Sequence, residues 1–256
     1  MNYDDALKYL DEHATYEKTG RITSPSTDTI AALCAAMGDP QHSAPVIHLT
    51  GTNGKGSTAQ MISRLLVASG LTVGTYTSPH LERVNERISR NLEPISDDDF
   101  AEQIAAIADL EGIVGRRPGY FEIVTAAAFR WFADVAVDVM VIEVGLLGRW
   151  DATNVVDATV SVVTNIGMDH TEFAGPTLAH IAREKAGIIK PRSATVVGET
   201  RPELVEIFRE AGGASMLVAD DDFEVVGNRL AVGGRLIDIR TPTTIYTDIY
   251  VPLHGA

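Results

Sequence analysis

Two nearly unbroken apolar runs, VDVMVIEV (137–144) and ATVSVVTNI (158–166), restrict the fold more than any other feature of this chain. A strand with one face in water alternates apolar and polar residues, whereas a strand apolar at successive positions must be covered on both faces. That is the situation of a parallel sheet flanked by helices, and the rest of the chain keeps the rhythm. Segments 45–50, 71–77 and 194–197 read as further strands. Helical patterns cover 4–13, 26–37, 57–69, 97–110, 121–135, 177–186 and 202–211. Gly38 and Gly70 stand where helices end on a left-handed residue. The polar stretch SPHLERVNERISR (78–90) carries too many charges for a core element and reads as a long loop. The predicted class is α/β, a doubly wound, mostly parallel sheet. From about Ser215 the texture changes to short strands with Gly-Asn and Gly-Gly turn signals and no helix. Residues 1–214 are therefore expected to form the core, and 215–256 a small antiparallel β extension of the same domain near the C-terminus.

A chain of 256 residues can bury a sizeable core without staples. Its one cysteine, Cys34, lies in an apolar helical stretch and excludes a disulfide framework or zinc cluster, so a reducing cytoplasm is the expected compartment. The start, MNYDDALKYLDEH, has no basic and apolar leader, and no apolar run approaches the roughly 20 residues that span a bilayer. A formal net charge of −14 opposes binding to nucleic acid or anionic lipid. Any phosphate this protein holds must be captured locally, by backbone amides, a lysine or a metal.

HLTGTNGKGST (48–58) is built for such capture. A strand, a glycine turn and a helix start let backbone N–H groups converge on a phosphate at the positive end of a helix. Gly51, Gly54 and Gly56 allow close approach, Lys55 can neutralise β- or γ-phosphate charge, and Ser57 or Thr58 can reach a magnesium ion. The generic rule wants Ser or Thr directly after Gly-Lys, and Gly56 intervenes. On the regular expression alone, a glycine turn without a ligand stays open. Glu143, closing VMVIE, places a carboxylate at the sheet edge where α/β folds bind ligands. It can hold magnesium there or cap a neighbouring helix. His170, in TNIGMDHTEF, falls at the same edge, although a lone histidine is commonly a structural hydrogen-bonder and magnesium prefers oxygen. Lys185, in REKAGIIK, read alone, is a surface lysine.

GTNGKGST, TSPHLERVNERI, YFEIVTAAAF, IEVGLLGRWDATN, TNIGMDHTEF and GPTLAHIAREKAGIIKP occur in that order. Together they closely resemble the folylpolyglutamate synthase and dihydrofolate synthase family, the folate branch of the Mur ligases. The resemblance runs from about residue 16 to the end and implies the P-loop fold of a Mur ligase central domain. In that family a glycine between the lysine and the hydroxyl residue is the normal loop form, so Gly56 is no defect.

Carried over by residue, the resemblance implies that Thr52, Asn53, Gly54, Lys55 and Gly56 embrace ATP phosphates, with Ser57 and Thr58 beside them. Ser78, Glu143, His170 and Ser57 would bind Mg²⁺, and Lys185 would be the lysine that family members carbamylate. Lys55, His170 and Lys185 would carry the catalytic charge compensation. Phe121, Glu122, Asp151 and Ala152 would line a pterin pocket.

The implied reaction is ATP-driven ligation of L-glutamate to dihydropteroate or folates through an acyl phosphate. The substrates are small molecules, and the intact enzyme is expected to be a monomer. Two departures stand out. Leu147 replaces a glycine in EVGLLGR, and the family's second, glutamate-binding domain is missing from the sequence given. The alternative is therefore an ATP- and folate-binding module without ligase activity; an unrelated P-loop kinase would need the other motifs to coincide by chance.

Overall fold

The computed structural model describes residues 1–13, 26–169 and 171–252. In chain order the elements are α1 (Tyr3–Asp11), α2 (Asp28–Ala36), β1 (Val46–Thr50), α3 (Lys55–Ala68), β2 (Val73–Tyr76), β3 (Ile88–Arg90) and β4 (Glu93–Pro94). Then come α4 (Asp97–Val114), α5 (Tyr120–Asp134), β5 (Val139–Glu143), β6 (Val160–Val163), α6 (Thr171–Ala174), α7 (Leu178–Ala186) and β7 (Ala194–Val197). The chain continues through α8 (Pro202–Ala211), β8 (Ser215–Val218), β9 (Glu224–Ala231), β10 (Gly234–Arg240) and β11 (Ile245–Val251).

One eight-stranded sheet runs in the order β4-β3-β2-β5-β1-β6-β7-β8, and β9, β10 and β11 form a separate three-stranded sheet. From β2 to β8 every neighbouring pair is parallel, while β3 and β4 join antiparallel at one edge. The unbroken apolar character of 137–144 now has its cause. Met140 and Ile142 enter a core with Phe129, Phe132 and Ile104 on one face of the sheet. Val139 and Val141 meet Leu49, Ala59 and Val162 on the other. A third cluster joins Val163, Val197, Ile181 and Phe208 beneath α7 and α8. Burying a side chain of this size stabilises by about 2 kcal/mol, so substitution by a polar residue on either face of β5 would be costly.

Local chemistry sets the helix ends that matter here. Ser96 caps α4, its Oγ accepting from Asp99 N at 3.0 Å, and Asp97, Asp98 and Asp99 sit at the positive end of that helix. By contrast α3 starts after Gly54, which lies in the left-handed region at φ 81° and supplies no side-chain cap. Its first amides are left for another acceptor. Among the described residues no helix is long and apolar enough to cross a membrane.

Three expectations need correction. The charged stretch 78–90 is not a plain loop: Val84–Arg87 forms a 3-10 turn, Ile88–Arg90 forms β3, and Arg87 is fully buried. The burial is tolerable because Arg87 Nε donates to His80 Nδ1 at 2.8 Å and the guanidinium lies 5.4 Å from the Tyr120 ring centroid. Arg83 and Glu86 stay at the surface, where Arg83 pairs with Asp97 at 2.8 Å. Ser215–Val218, expected to open the antiparallel extension, is the eighth strand of the main sheet and pairs parallel with β7. Val218, buried against the cluster under α8, draws it there. The Gly-Asn signal is also no turn, since Gly227 and Asn228 lie within β9 and the chain reverses after Ala231 instead.

Candidate functional site

The phosphate loop leaves the end of β1, the strand flanked by β5 and β6, with Leu49 in register with Glu143 and Thr50 with Val163. The end of β6 clasps this loop. Thr52 N donates to Asn165 O at 2.9 Å, Asn53 N to the Asn165 side chain at 2.9 Å, and Thr164 Oγ1 to Asn53 O at 2.7 Å. Gly167 N donates to Thr52 Oγ1 at 2.9 Å. Thr58 N enters the helix ladder at Gly54 O, 2.9 Å away, whereas Asn53, Gly54 and Ser57 remain exposed. The loop is thus held in shape by its neighbours while its outer surface stays free.

Both lysines singled out in the sequence converge on one carbonyl. Lys55 Nζ donates to Gly51 O at 3.1 Å and to Thr52 O at 3.5 Å, and Lys185 Nζ donates to Gly51 O at 2.8 Å. Lys185 comes from α7 and is buried. Its burial, and next the Lys55 charge, push the ammonium down to about 8 against the pull of Asp169 and Asp151. A buried lysine with its hold on the proton so weakened is a neutral, nucleophilic amine about a tenth of the time at pH 7, far more than an ordinary lysine.

Glu143 closes β5 beside them. Burial pushes its carboxyl up to about 7, opposed by the Ser78 N–H and by Lys55. Ser78 N donates to Glu143 Oε2 at 3.1 Å, which brings residue 78 to the same point. Gly56 faces this carboxylate, and a Cβ there would lie 3.5 Å from Glu143 Oε2. A Cβ at that distance would be in ordinary contact, so glycine leaves unfilled a gap between the phosphate loop and the acid that a small side chain could also enter. His170 lies outside the described residues.

The four residues that the family resemblance assigns to a pterin pocket divide into two kinds. Phe121, half-buried at the start of α5, stacks obliquely on Tyr76 with ring centroids 5.9 Å apart. Gly145 lets that ring in, since a Cβ at 145 would come within 2.4 Å of Phe121 Cζ. Glu122 and Asp151 spend their carboxylates on the backbone. Glu122 Oε2 accepts from Gly119 N at 2.7 Å and caps α5. Asp151 is buried, with Oδ2 accepting from Leu146 N at 2.8 Å and Oδ1 from Thr153 N at 3.0 Å. Burial raises the Asp151 carboxyl and those donors oppose the rise. Buried Ala152 follows at the start of a 3-10 turn, and Leu147 sits at φ 59° with its side chain in the core under α7.

Several residues of this site lie inside the quoted motifs but were given no role from sequence. His48, Thr50, Thr153 and Arg87 are fully buried polar groups in or beside it. The available signal was a polar residue inside an otherwise apolar strand, His48 in the middle of VIHLT.

A capless helix start behind a clasped glycine turn, with a lysine on the loop and an acid at the neighbouring strand end, defines a P-loop nucleotide-binding α/β protein. No protein-family model matches the chain. It is 41% identical over 254 residues to the dihydrofolate synthase/folylpolyglutamate synthase of Mycobacterium tuberculosis, covering 90% of this chain and 52% of that protein. With folylpolyglutamate synthase of Lacticaseibacillus casei it shares 38% identity, covering 100% of this chain and 60% of the relative. The structure superposes on M. tuberculosis folylpolyglutamate synthase complexed with ADP and AMPPCP at a TM-score of 0.89 and 38% identity, over 99% of this chain and 58% of that one. A folylpolyglutamate synthase–AMPPCP–folate complex matches at a TM-score of 0.90 and 37% identity, over 99% of this chain and 62% of the other. The chain belongs to the folylpolyglutamate synthase and dihydrofolate synthase family. It spans between 52% and 60% of the length of these two curated relatives.

Proposed function

We propose that this chain binds ATP and a pteroate or folate and supplies the ATP-using half of an acid–amino-acid ligase that joins L-glutamate to dihydropteroate or folates. The observation that carries the reading is the meeting of Lys55 and Lys185 on Gly51 O beside the Glu143 carboxylate, at the mouth of a clasped phosphate loop. The names of the relatives, and the AMPPCP and folate in the solved complex, support it.

In this reading Lys55 leaves Gly51 O for the β- and γ-phosphates, where the α3 amides and the backbone of Thr52, Asn53, Gly54 and Gly56 add their donors. Ser57 and Thr58 offer hydroxyls at the same helix start. Oxygen donors suit Mg²⁺, and Glu143 would hold it with the hydroxyls of Ser57, next to Gly56, and of Ser78, whose N–H already donates to that carboxylate. His170 is the imidazole the family resemblance adds. When bound, the metal supplies charge compensation for the transferring phosphoryl group. Phe121 offers a ring face to the pterin, and Asp151 with Ala152 shapes the segment opposite. A substrate carboxylate then attacks the γ-phosphorus, ADP leaves, and the acyl phosphate formed has phosphate as its leaving group when the glutamate amine adds. Carboxylate alone would have to expel oxide, so the protein's share is positioning and charge compensation.

Lys185 also fits carbamylation. Its uncharged amine attacks carbon dioxide, an N–C bond forms, and loss of the N–H proton leaves a carbamate, so a cation becomes an anion beside Lys55. Mass measured without acid, and the carbon signal of labelled bicarbonate, test this step. An unmodified lysine in the folded chain at saturating bicarbonate would exclude it.

The deciding assay incubates the chain with ATP, Mg²⁺, dihydropteroate and glutamate and measures dihydrofolate and ADP. Product formation establishes the ligase. AMPPCP binding without product establishes the second reading, an ATP- and folate-binding module without ligase activity. Absence of nucleotide binding would overturn both.

A further inference from the structure

Strand β1 does more than carry the phosphate loop. His48 and Thr50, two residues apart and so on the same face, are both fully buried, and both reach the segment 145–153. Thr50 Oγ1 donates to Leu147 O at 2.5 Å. His48 Nε2 lies 2.8 Å from Thr153 Oγ1, whose own proton goes to Asp151 Oδ1 at 2.5 Å. A hydroxyl has a single hydrogen, so Thr153 accepts from His48, and the histidine is the Nε2–H tautomer. Its Nδ1 is buried with no hydrogen-bond partner. Asp151 completes the path by holding Leu146 N at 2.8 Å. One residue beyond Thr50, the carbonyl of Gly51 is the acceptor for Lys55 and Lys185.

We propose that His48 and Thr50 are positioning residues that tie segment 145–153 to the phosphate loop, so that occupancy of the loop by a nucleotide is felt at Asp151 and Trp150. When Lys55 moves from Gly51 O to a phosphate, the end of β1 loses one of its two ammonium donors. Thr50 and His48 pass the resulting adjustment to the carbonyl of Leu147 and to the hydroxyl of Thr153. Leu147 makes the segment responsive, because a side chain at φ 59° stores strain that its burial holds in place. The inference rests on the nucleotide half of the function proposed above and needs nothing from the pterin half.

The chain carries its own reporter. Of its two tryptophans, Trp150 is 51% exposed within the segment and Trp131 only 7%, so acrylamide quenching reads chiefly Trp150. In the wild type, saturating Mg²⁺–AMPPCP is expected to change the quenching constant by about twofold. Thr50→Val and His48→Leu, which remove the hydrogen bonds, should lose more than about half of that response, read at AMPPCP concentrations that calorimetry shows to saturate each variant. Thr50→Ser and His48→Gln keep a donor and should keep the response. Amide exchange at Leu146 and Thr153 in the nucleotide-free chain gives a readout that needs no ligand, faster by about tenfold or more in Thr50→Val and His48→Leu and unchanged in the conservative pair. Wild-type responses in Thr50→Val and His48→Leu, or a silent wild type with AMPPCP bound, overturn the proposal. AMPPCP that fails to bind while exchange changes as expected overturns the nucleotide reading and leaves the tether standing.

Discussion

The edge of the parallel sheet and the three-stranded β9–β11 sheet solve opposite problems with the same residue types. At the parallel edge, polar groups are buried and almost every one is tied: Asp151, Thr153, Thr50 and Lys185 each have named partners within 3.0 Å. In the three-stranded sheet apolar groups are exposed, Leu230 at 83% and Val232 at 99%, and surface ion pairs lie across the strands. Arg229 there bridges Asp238 and Asp248 at 3.3 and 2.6 Å, and Arg240 meets Glu224 at 2.9 Å. Burial makes each polar contact in the first region stringent, because an unpaired partner costs more than the bond returns. In the second region water substitutes for any partner that is lost.

The contrast breaks most visibly at the lysines. Lys185→Met should lower ATP turnover in the ligase or ATPase assay by about 100-fold or more. Denaturant midpoints should fall little or rise, since an apolar side chain replaces a buried ammonium. Gly51→Ala attacks the backbone instead. At φ 150° its new Cβ would lie 1.8 Å from Thr164 Oγ1, and a loss of about 3 kcal/mol in urea unfolding is expected.

His48 gives an acid signature. Burial, and next the Lys190 charge, push it down to about 3, so it stays neutral in the folded chain while its unfolded counterpart takes up a proton below about 6.5. Stability contributed at pH 7 is therefore lost as pH falls from 6.5 toward 3. By pH 5 the loss attributable to this residue is about 2 kcal/mol. Unfolding curves of wild type and His48→Gln at pH 7 and 5 isolate it, and equal pH slopes would contradict the assignment. Smallest of all, Leu230→Thr in the exposed sheet should change stability by no more than about 0.5 kcal/mol. A larger loss would mean that this face is covered in solution.

Much of this arrangement was legible in advance. The runs around Met140 and Val162 announced a doubly covered sheet, and the strand ends before Gly51 and at Glu143 pointed the phosphate loop and the acid to one edge of it. Lys185 was legible only through the family motif, because nothing in REKAGIIK distinguishes a lysine turned inward from one in water. Arg87 escaped for a related reason. Its neighbours are charged, and its burial depends on His80, seven residues earlier in the same stretch, and on Tyr120 at the start of α5. The parallel pairing of Ser215–Val218 depends on a partner strand 21 residues upstream rather than on its own alternation. The His48–Thr153–Asp151 path lies wholly in three dimensions. Sequence offers only the oddity of a histidine in an apolar strand.

At its outer edge the large sheet ends in β4, two exposed residues, Glu93 and Pro94. Proline brings no N–H to a ladder and glutamate brings a charge that an incoming strand would have to bury. The molecule therefore has a polarity for assembly, with strand addition disfavoured on the β4 side of the large sheet.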